Sequence, residues 1–257
     1  MSQRAWISSL TPTRDAAASL IKTLDSYGIK ATGEMWEDNL DQMSWMGQRE
    51  EIMHPDTGMW IILTHIDLLK SKTVRYGLSL LILSVLATRG RAFPIINASS
   101  SPLDENSLPS VLKGLRSLST TDASLGAKLV AFMHSKPAPS IPEYYVDVYA
   151  NPHIGQWFEI GPQGEPWKGA MFAVDIGDIT FHAAGPRGAL PKKATMAYAV
   201  KGLKIQSGLR EYTAWACQNE LTVQDSYFIQ VKGYPDSILF GPFTQEDEAN
   251  VFILDLV

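Results

Sequence analysis

Cysteine is almost absent from this chain of 257 residues, and the lone Cys217 leaves no intramolecular disulfide and no cysteine-rich zinc site to expect. That scarcity fits a reducing, cytoplasmic setting. Basic charge is also short: 22 Lys and Arg against 27 Asp and Glu give a net charge of -5, the opposite of a generic nucleic-acid binder. Long apolar runs are missing too. The greasiest stretch, Leu78 to Ala87, lies between Arg75 and Arg89 and falls far short of the ~20 residues that span a bilayer, so it reads as a buried helix with no membrane partner. The opening Met1 to Trp6 lacks the apolar core of a signal peptide.

Catalytic signatures are equally sparse. The chain has no P-loop, no Gly-x-Gly-x-x-Gly and no Gly-x-Ser-x-Gly elbow. The five histidines (His54, His65, His134, His153 and His182) never pair at metal-ligand spacing, so no metal is expected. Cys217 has no neighbouring histidine in sequence and reads as a quiet buried thiol.

What is present is alternation. Ala5 to Leu10 is a short apolar run, and Thr11-Pro12 offers a cap and first-turn proline for a helix with apolar positions Ala17, Leu20, Ile21 and Leu24. Gly28 closes that helix, and Ile29 to Met35 reads as a second strand. A polar loop from Trp36 to Trp45 and a helix over Met46 to Met53 lead to the clearest central strand, Met59 to Leu63. Val74, Leu78, Leu81, Ile82, Val85 and Leu86 stripe a long helix, with Leu80 and Leu83 on its flank, ended by Gly90. Phe93 to Ile96 is a fourth strand; two helices are expected over Leu108 to Leu118 and Leu125 to Met133, with no fifth strand visible. The order implies an α/β, flavodoxin-like parallel sheet with covering helices over residues 1–135.

Residues 136–142, with three prolines, read as a stiff linker. Residues 143–257 have a different texture, that of a mainly antiparallel β (α+β) domain of no recognised family. Tyr144 to Tyr149 and Met171 to Ile176 alternate, and Ile176 to Ile179 predicts a hairpin. Tyr227 to Lys232 and Ser237 to Phe240 read as strands, while Leu209 to Gln218 suits helix or strand. Thr244 to Asp247 resembles a capping box opening a helix through Phe252. The aromatics Trp157, Phe158, Trp167, Phe172, Tyr198, Tyr212, Trp215 and Tyr227 either line a ligand cleft or fill a sheet core.

Several N-terminal segments carry a family resemblance. Ala5 to Pro12, Gly28-Ile29-Lys30, Met59 to Thr64 and Phe93 to Ile96 resemble successive elements of a Toll/interleukin-1 receptor (TIR) domain, over roughly residues 4–100. Enzymatic members cleave NAD with a glutamate in a Ser-x-x-x-x-x-Glu segment; here Ser71 to Tyr76 is followed by Gly77. The resemblance implies a signalling or defence protein of prokaryotic immunity, self-associating, with NAD or an ADP-ribose derivative as ligand or substrate. Ligands of open α/β sheets sit beyond the strand ends, which selects Ser8, Ser9, Trp36 and Arg75 as binding candidates. Surviving NAD glycohydrolase or nucleoside N-glycosidase chemistry would need another acid: Glu34, Glu37 or Glu50. A third reading is a non-enzymatic protein-interaction adaptor.

Overall fold

Strand β1 (Arg4–Ser9) buries five of its six residues, because it lies inside a sheet covered on both faces. The computed structural model describes residues 3–101, 104–135, 142–194, 196–243 and 250–257. The chain forms two compact units, Met1–Ser140 and Ile141–Val257. The expected proline linker falls mainly on residues 136–141, outside the described residues.

In the first unit β1 is followed by α1 (Arg14–Ser26), β2 (Lys30–Met35), α2 (Arg49–Met53), β3 (Thr57–Thr64), α3 (Lys72–Arg89), β4 (Ile95–Ser99), α4 (Ser110–Lys113), β5 (Arg116–Ser119) and α5 (Leu125–His134). All strand pairings are parallel and the spatial order is β2-β1-β3-β4-β5, the flavodoxin-like arrangement. β3 is buried along its whole length, as the central position demands. One face of the sheet (Ala5, Ile7, Met59, Ile61, Leu63, Ile96, Ala98) packs on Leu20 and Leu24 of α1 and Leu125, Leu129 and Met133 of α5. In α3 every residue from Tyr76 to Val85 is buried, which explains why apolar groups occupy its flank as well as its stripe.

Three expectations for this unit change. The first helix begins at Arg14 with Thr13 as its cap, so Thr11-Pro12 belongs to the β1–α1 loop, where Thr11 Oγ1 meets Ser9 Oγ at 2.9 Å. The helix expected over Leu108 to Leu118 is only α4, and a fifth strand does exist. Gly114 follows the short helix, and β5 sends only Leu118 towards the core while its other residues are exposed. A four-residue edge strand with one inward apolar group carries too little alternation to be read. The helix expected over Met46 to Met53 is a single turn at Ser44–Met46 followed by α2.

The described residues of the second unit hold nine strands: β6 (Tyr144–Asn151), β7 (Gly155–Pro162), β8 (Ala170–Val174), β9 (Asp178–Pro186), β10 (Val200–Ser207), β11 (Arg210–Cys217), β12 (Asp225–Lys232), β13 (Ser237–Pro242) and β14 (Phe252–Asp255). They make two antiparallel sheets, β10-β11-β8-β13-β14 and β6-β7-β12-β9. Rings meet between the sheets: Phe158 and Phe172 at 5.1 Å, Tyr144 and Phe240 at 5.1 Å, His182 and Trp215 at 4.7 Å. The unit is therefore a sandwich whose aromatics fill the interior.

The turn at residues 176–179 is not a hairpin. β8 pairs with β11 and β13, β9 with β12, so the turn passes the chain from one sheet to the other. Gly177, at φ 92°, makes the corner, where a Cβ would stand 2.6 Å from Lys232 O. Residues Arg210–Cys217 resolve as a strand, since both their neighbours are strands. Phe252 opens β14 and is not helical, while Thr244 to Asp247 lie outside the described residues.

Candidate functional site

Parallel strands present their carboxyl ends together, and here each of four adjacent ends is followed by hydroxyl groups. Ser9 ends β1 with Thr11 beyond it, Thr64 ends β3, Ser99 ends β4 with Ser100 beyond it, and Ser119 ends β5 with Thr120 beyond it. The order reverses between β1 and β3, the position where open α/β sheets leave a crevice. A crevice of about 160 Å³ is found there, lined by Thr11, Ser19, Thr23, Thr64, Ser100 and Thr120 with Leu20, Leu63, Ala16 and Leu125 beneath. The backbone holds this rim in place: Leu10 N–H donates to Leu63 O at 2.9 Å and Thr120 N–H to Ser99 O at 2.9 Å. No charged side chain lines it. Its volume is well below the ~300 Å³ at which drug-sized pockets begin, so it suits one polar group of a ligand, such as a ribose or a phosphate.

His65 follows Thr64 in the chain, just past the end of β3. Its Nδ1 accepts from Asp67 N–H at 3.3 Å, and Nε2 lies 3.5 Å from Ser101 Oγ. The Asp67 carboxyl is held below its usual range, chiefly by a hydrogen bond from Lys70.

The residues singled out from sequence do not converge. Ser8 is fully buried and committed internally: its Oγ accepts from Trp60 Nε1 at 2.8 Å and donates to Gln48 Oε1. Ser9 is also buried, and its side chain, bonded to Thr11, lies on the opposite face. Arg75 donates through Nε to Leu69 O, tying the turn before α3 to that helix. Trp36 packs towards Gly77, with Cζ2 3.1 Å from where a Cβ would be, and its buried Nε1 finds no hydrogen-bond partner among the described residues.

Gly77 itself is buried, and Trp45 Cβ stands 3.0 Å from the same point. A side chain at this position would press on two indoles from its first carbon. Ser71 caps α3, its Oγ accepting from Val74 N–H at 3.4 Å. Thr73 Oγ1 then donates to Asp38 at 2.6 Å and fastens the polar loop.

Among the candidate acids, Glu34, Glu37 and Glu50 are all exposed. Glu34 lines a second cavity of about 520 Å³ between α1 and β2, with Ser9, Arg14, Ala17, Ile21 and Met35. Glu37 and Glu50 line neither cavity.

In the second unit, four of the aromatics considered for a cleft are sheet core: Phe158, Phe172, Tyr212 and Tyr227 are buried. Trp167, outside the strands, lines a cavity of about 550 Å³ with Pro142, Glu143 and Phe243. Tyr198 is 79% exposed. Sequence reading missed a polar cluster here. Asp147 and Glu159 face each other across β6 and β7, both buried. Glu159 accepts from Tyr149 OH at 2.6 Å and from Gly188 N–H at 2.7 Å. Arg187 lies 4.3 Å over Tyr145, and burial pushes the hydroxyls of Tyr145 and Tyr149 well above their usual range. Among the described residues no three His, Cys, Asp or Glu side chains gather into a metal site, and no helix is long and apolar enough to cross a membrane.

No protein-family model matches the chain, and no curated protein matches it.

Proposed function

We propose that this is a TIR-like signalling protein whose first unit recognises a nucleotide, such as an ADP-ribose derivative, without cleaving it, and whose sandwich serves recognition of a further partner. The observation that carries the reading is the hydroxyl-lined crevice at the β1/β3 reversal, lined by Thr11, Thr64, Ser100 and Thr120. Hydroxyls donate and accept, which suits the mixed edge of a ribose or a phosphate oxygen. The absence of a carboxylate from that lining and the crowding at Gly77 argue for binding without N-glycosidic chemistry, which needs charge stabilisation of the developing cation. In this proposal the ligand role moves from Ser8 and Arg75, which are committed internally, to the rim beyond Ser9.

Calorimetry and thermal shift with ADP-ribose, NAD and cyclic ADP-ribose test it. A ligand binding only the folded state adds about 2.7 kcal/mol of stability at a hundredfold excess over Kd. Ser100→Tyr, placed at the exposed mouth, should abolish the shift. No shift from any of these ligands at millimolar concentration refutes the proposal.

A second reading rests on Glu34, which of the three acids shares a cavity with Ser9 and Arg14. It predicts nicotinamide release from NAD that Glu34→Gln abolishes.

A further inference from the structure

β2 is an edge of the parallel sheet, and among the described residues no strand pairs with its outer side. Four of its six residues are exposed, it pairs with β1 without a bulge, and it contains no proline. Trp36 N–H, just past the strand, donates to Ser9 O at 2.7 Å. Strand alternation then turns the backbone groups of Lys30, Thr32 and Glu34 towards β1 and those of Ala31, Gly33 and Met35 outward. Gln48 Nε2 takes the Met35 carbonyl at 3.2 Å, which leaves Ala31 and Gly33 as the edge to be paired.

Natural edges are commonly blunted by a bulge or by charge of one sign, as β10 is in the second unit. That strand carries Lys201 and Lys204 and shifts register between Lys201 and Leu203. β2 is different. Its two charges are opposite and equally spaced about Thr32: Lys30 two residues before, Glu34 two after, side chains on one face. Both are exposed, and among the described residues neither forms a salt bridge.

We propose that β2 pairs antiparallel with β2 of a second copy of this chain, about a two-fold axis at Thr32, joining the two parallel sheets into one. In that register Ala31 and Gly33 exchange their outward backbone hydrogen bonds with Gly33 and Ala31 of the second copy. Lys30 stands opposite Glu34 of the second copy, and Glu34 opposite its Lys30. These charged positions are non-hydrogen-bonded pairs, the type whose side chains approach more closely. The interface is isologous and closes at two chains. Ala18 and Ile21 of α1, lining the cavity beside this edge, give the second copy apolar surface to cover. One strand and one helix flank make a small interface, so the dimer is a reversible one. The pairing is independent of the ligand reading, since it uses the sheet edge and not the strand ends.

Sedimentation equilibrium of the full chain without ligand tests the pairing. Wild type should show a concentration-dependent monomer–dimer equilibrium. Lys30→Glu alone, and Glu34→Lys alone, each place like charges opposite one another and should weaken association about tenfold or more, equivalent to about 1.4 kcal/mol. Mixing the Lys30→Glu protein with the Glu34→Lys protein makes both pairs complementary again and should restore dimer as a mixed species. Both positions are exposed, so circular dichroism should be unchanged. A wild type that stays monomeric at every concentration, a dimer indifferent to either change, or a mixture that fails to recover association overturns the proposal.

Discussion

Gly77 lies so close to Trp45 that a Cβ on the glycine would stand 3.0 Å from the tryptophan Cβ. Trp45 is 2% exposed, and Trp36 crowds the other side at 3.1 Å. The glycine therefore does two things at once. It places no acid at this point of α3, and it lets the helix approach a pair of indoles.

Gly77→Glu should consequently fail to install chemistry. Overpacking costs about 1–3 kcal/mol, and a carboxylate forced among indoles adds a desolvation cost. The expected outcome is a lower urea midpoint with no nicotinamide released from NAD. A stable, NAD-cleaving variant would show that the pocket around Gly77 is open.

Gln48 joins elements that the sequence keeps far apart. It accepts from Trp6 Nε1 at 3.3 Å and from Ser8 Oγ, and donates to Met35 O at 3.2 Å. Gln48→Leu removes the partner of all three, of which the Trp6 and Ser8 groups are buried, and each unsatisfied buried group costs about 1–3 kcal/mol. A loss of at least about 2 kcal/mol in equilibrium unfolding is expected. Gln48→Glu, which keeps the acceptor, should cost less than Gln48→Leu if the accepted bonds dominate.

These cases show which parts of the molecule the sequence could reveal. β3, α1 and α3 were legible because burial on a regular period writes itself into residue choice, and the alternation of elements implied the parallel sheet. β5 was not, because an exposed edge strand needs no apolar alternation. The change of sheet at Gly177 was also hidden: a tight turn looks the same whether its strands pair with each other or with different partners. At the strand ends proposed for the site, Ser8 and Ser9 point to opposite faces, and only Ser9 meets Thr11 of the crevice lining. The hydroxyls of Thr64, Ser100 and Thr120 gave no signal, since serine and threonine after a strand are also ordinary turn residues.

In the sandwich, Glu159 is buried yet satisfied by Tyr149 OH and Gly188 N–H. Glu159→Ala leaves a phenol and an amide unpaired beside Asp147, so it should destabilise by about 2–4 kcal/mol, two lost buried partners. Glu159→Gln retains an acceptor and should cost less. Equal effects in chemical denaturation would mean that the hydrogen bonds contribute nothing beyond packing.

His182 supplies the pH dependence. It is 4% exposed, its Nδ1 lies 2.6 Å from Tyr227 OH, and Trp215 meets its ring at 4.7 Å. Burial lowers its pKa from 6.5 to about 4, and the Lys201 charge adds to the effect. The Tyr227 hydroxyl is pushed well above 10, so it stays protonated and donates to the neutral imidazole. Because the folded pKa lies below the unfolded one, the unfolded chain binds the proton first as pH falls. The stabilising contribution is complete above about pH 6.5, declines from there towards pH 4, and changes no further below it. Urea midpoints measured from pH 7 to pH 4 should fall more steeply for wild type than for His182→Phe. The variant should begin less stable at pH 7, having left the Tyr227 hydroxyl without its acceptor, and the two curves should converge towards pH 4. Parallel curves across that window would show that His182 is charged in the folded state or free to reach water.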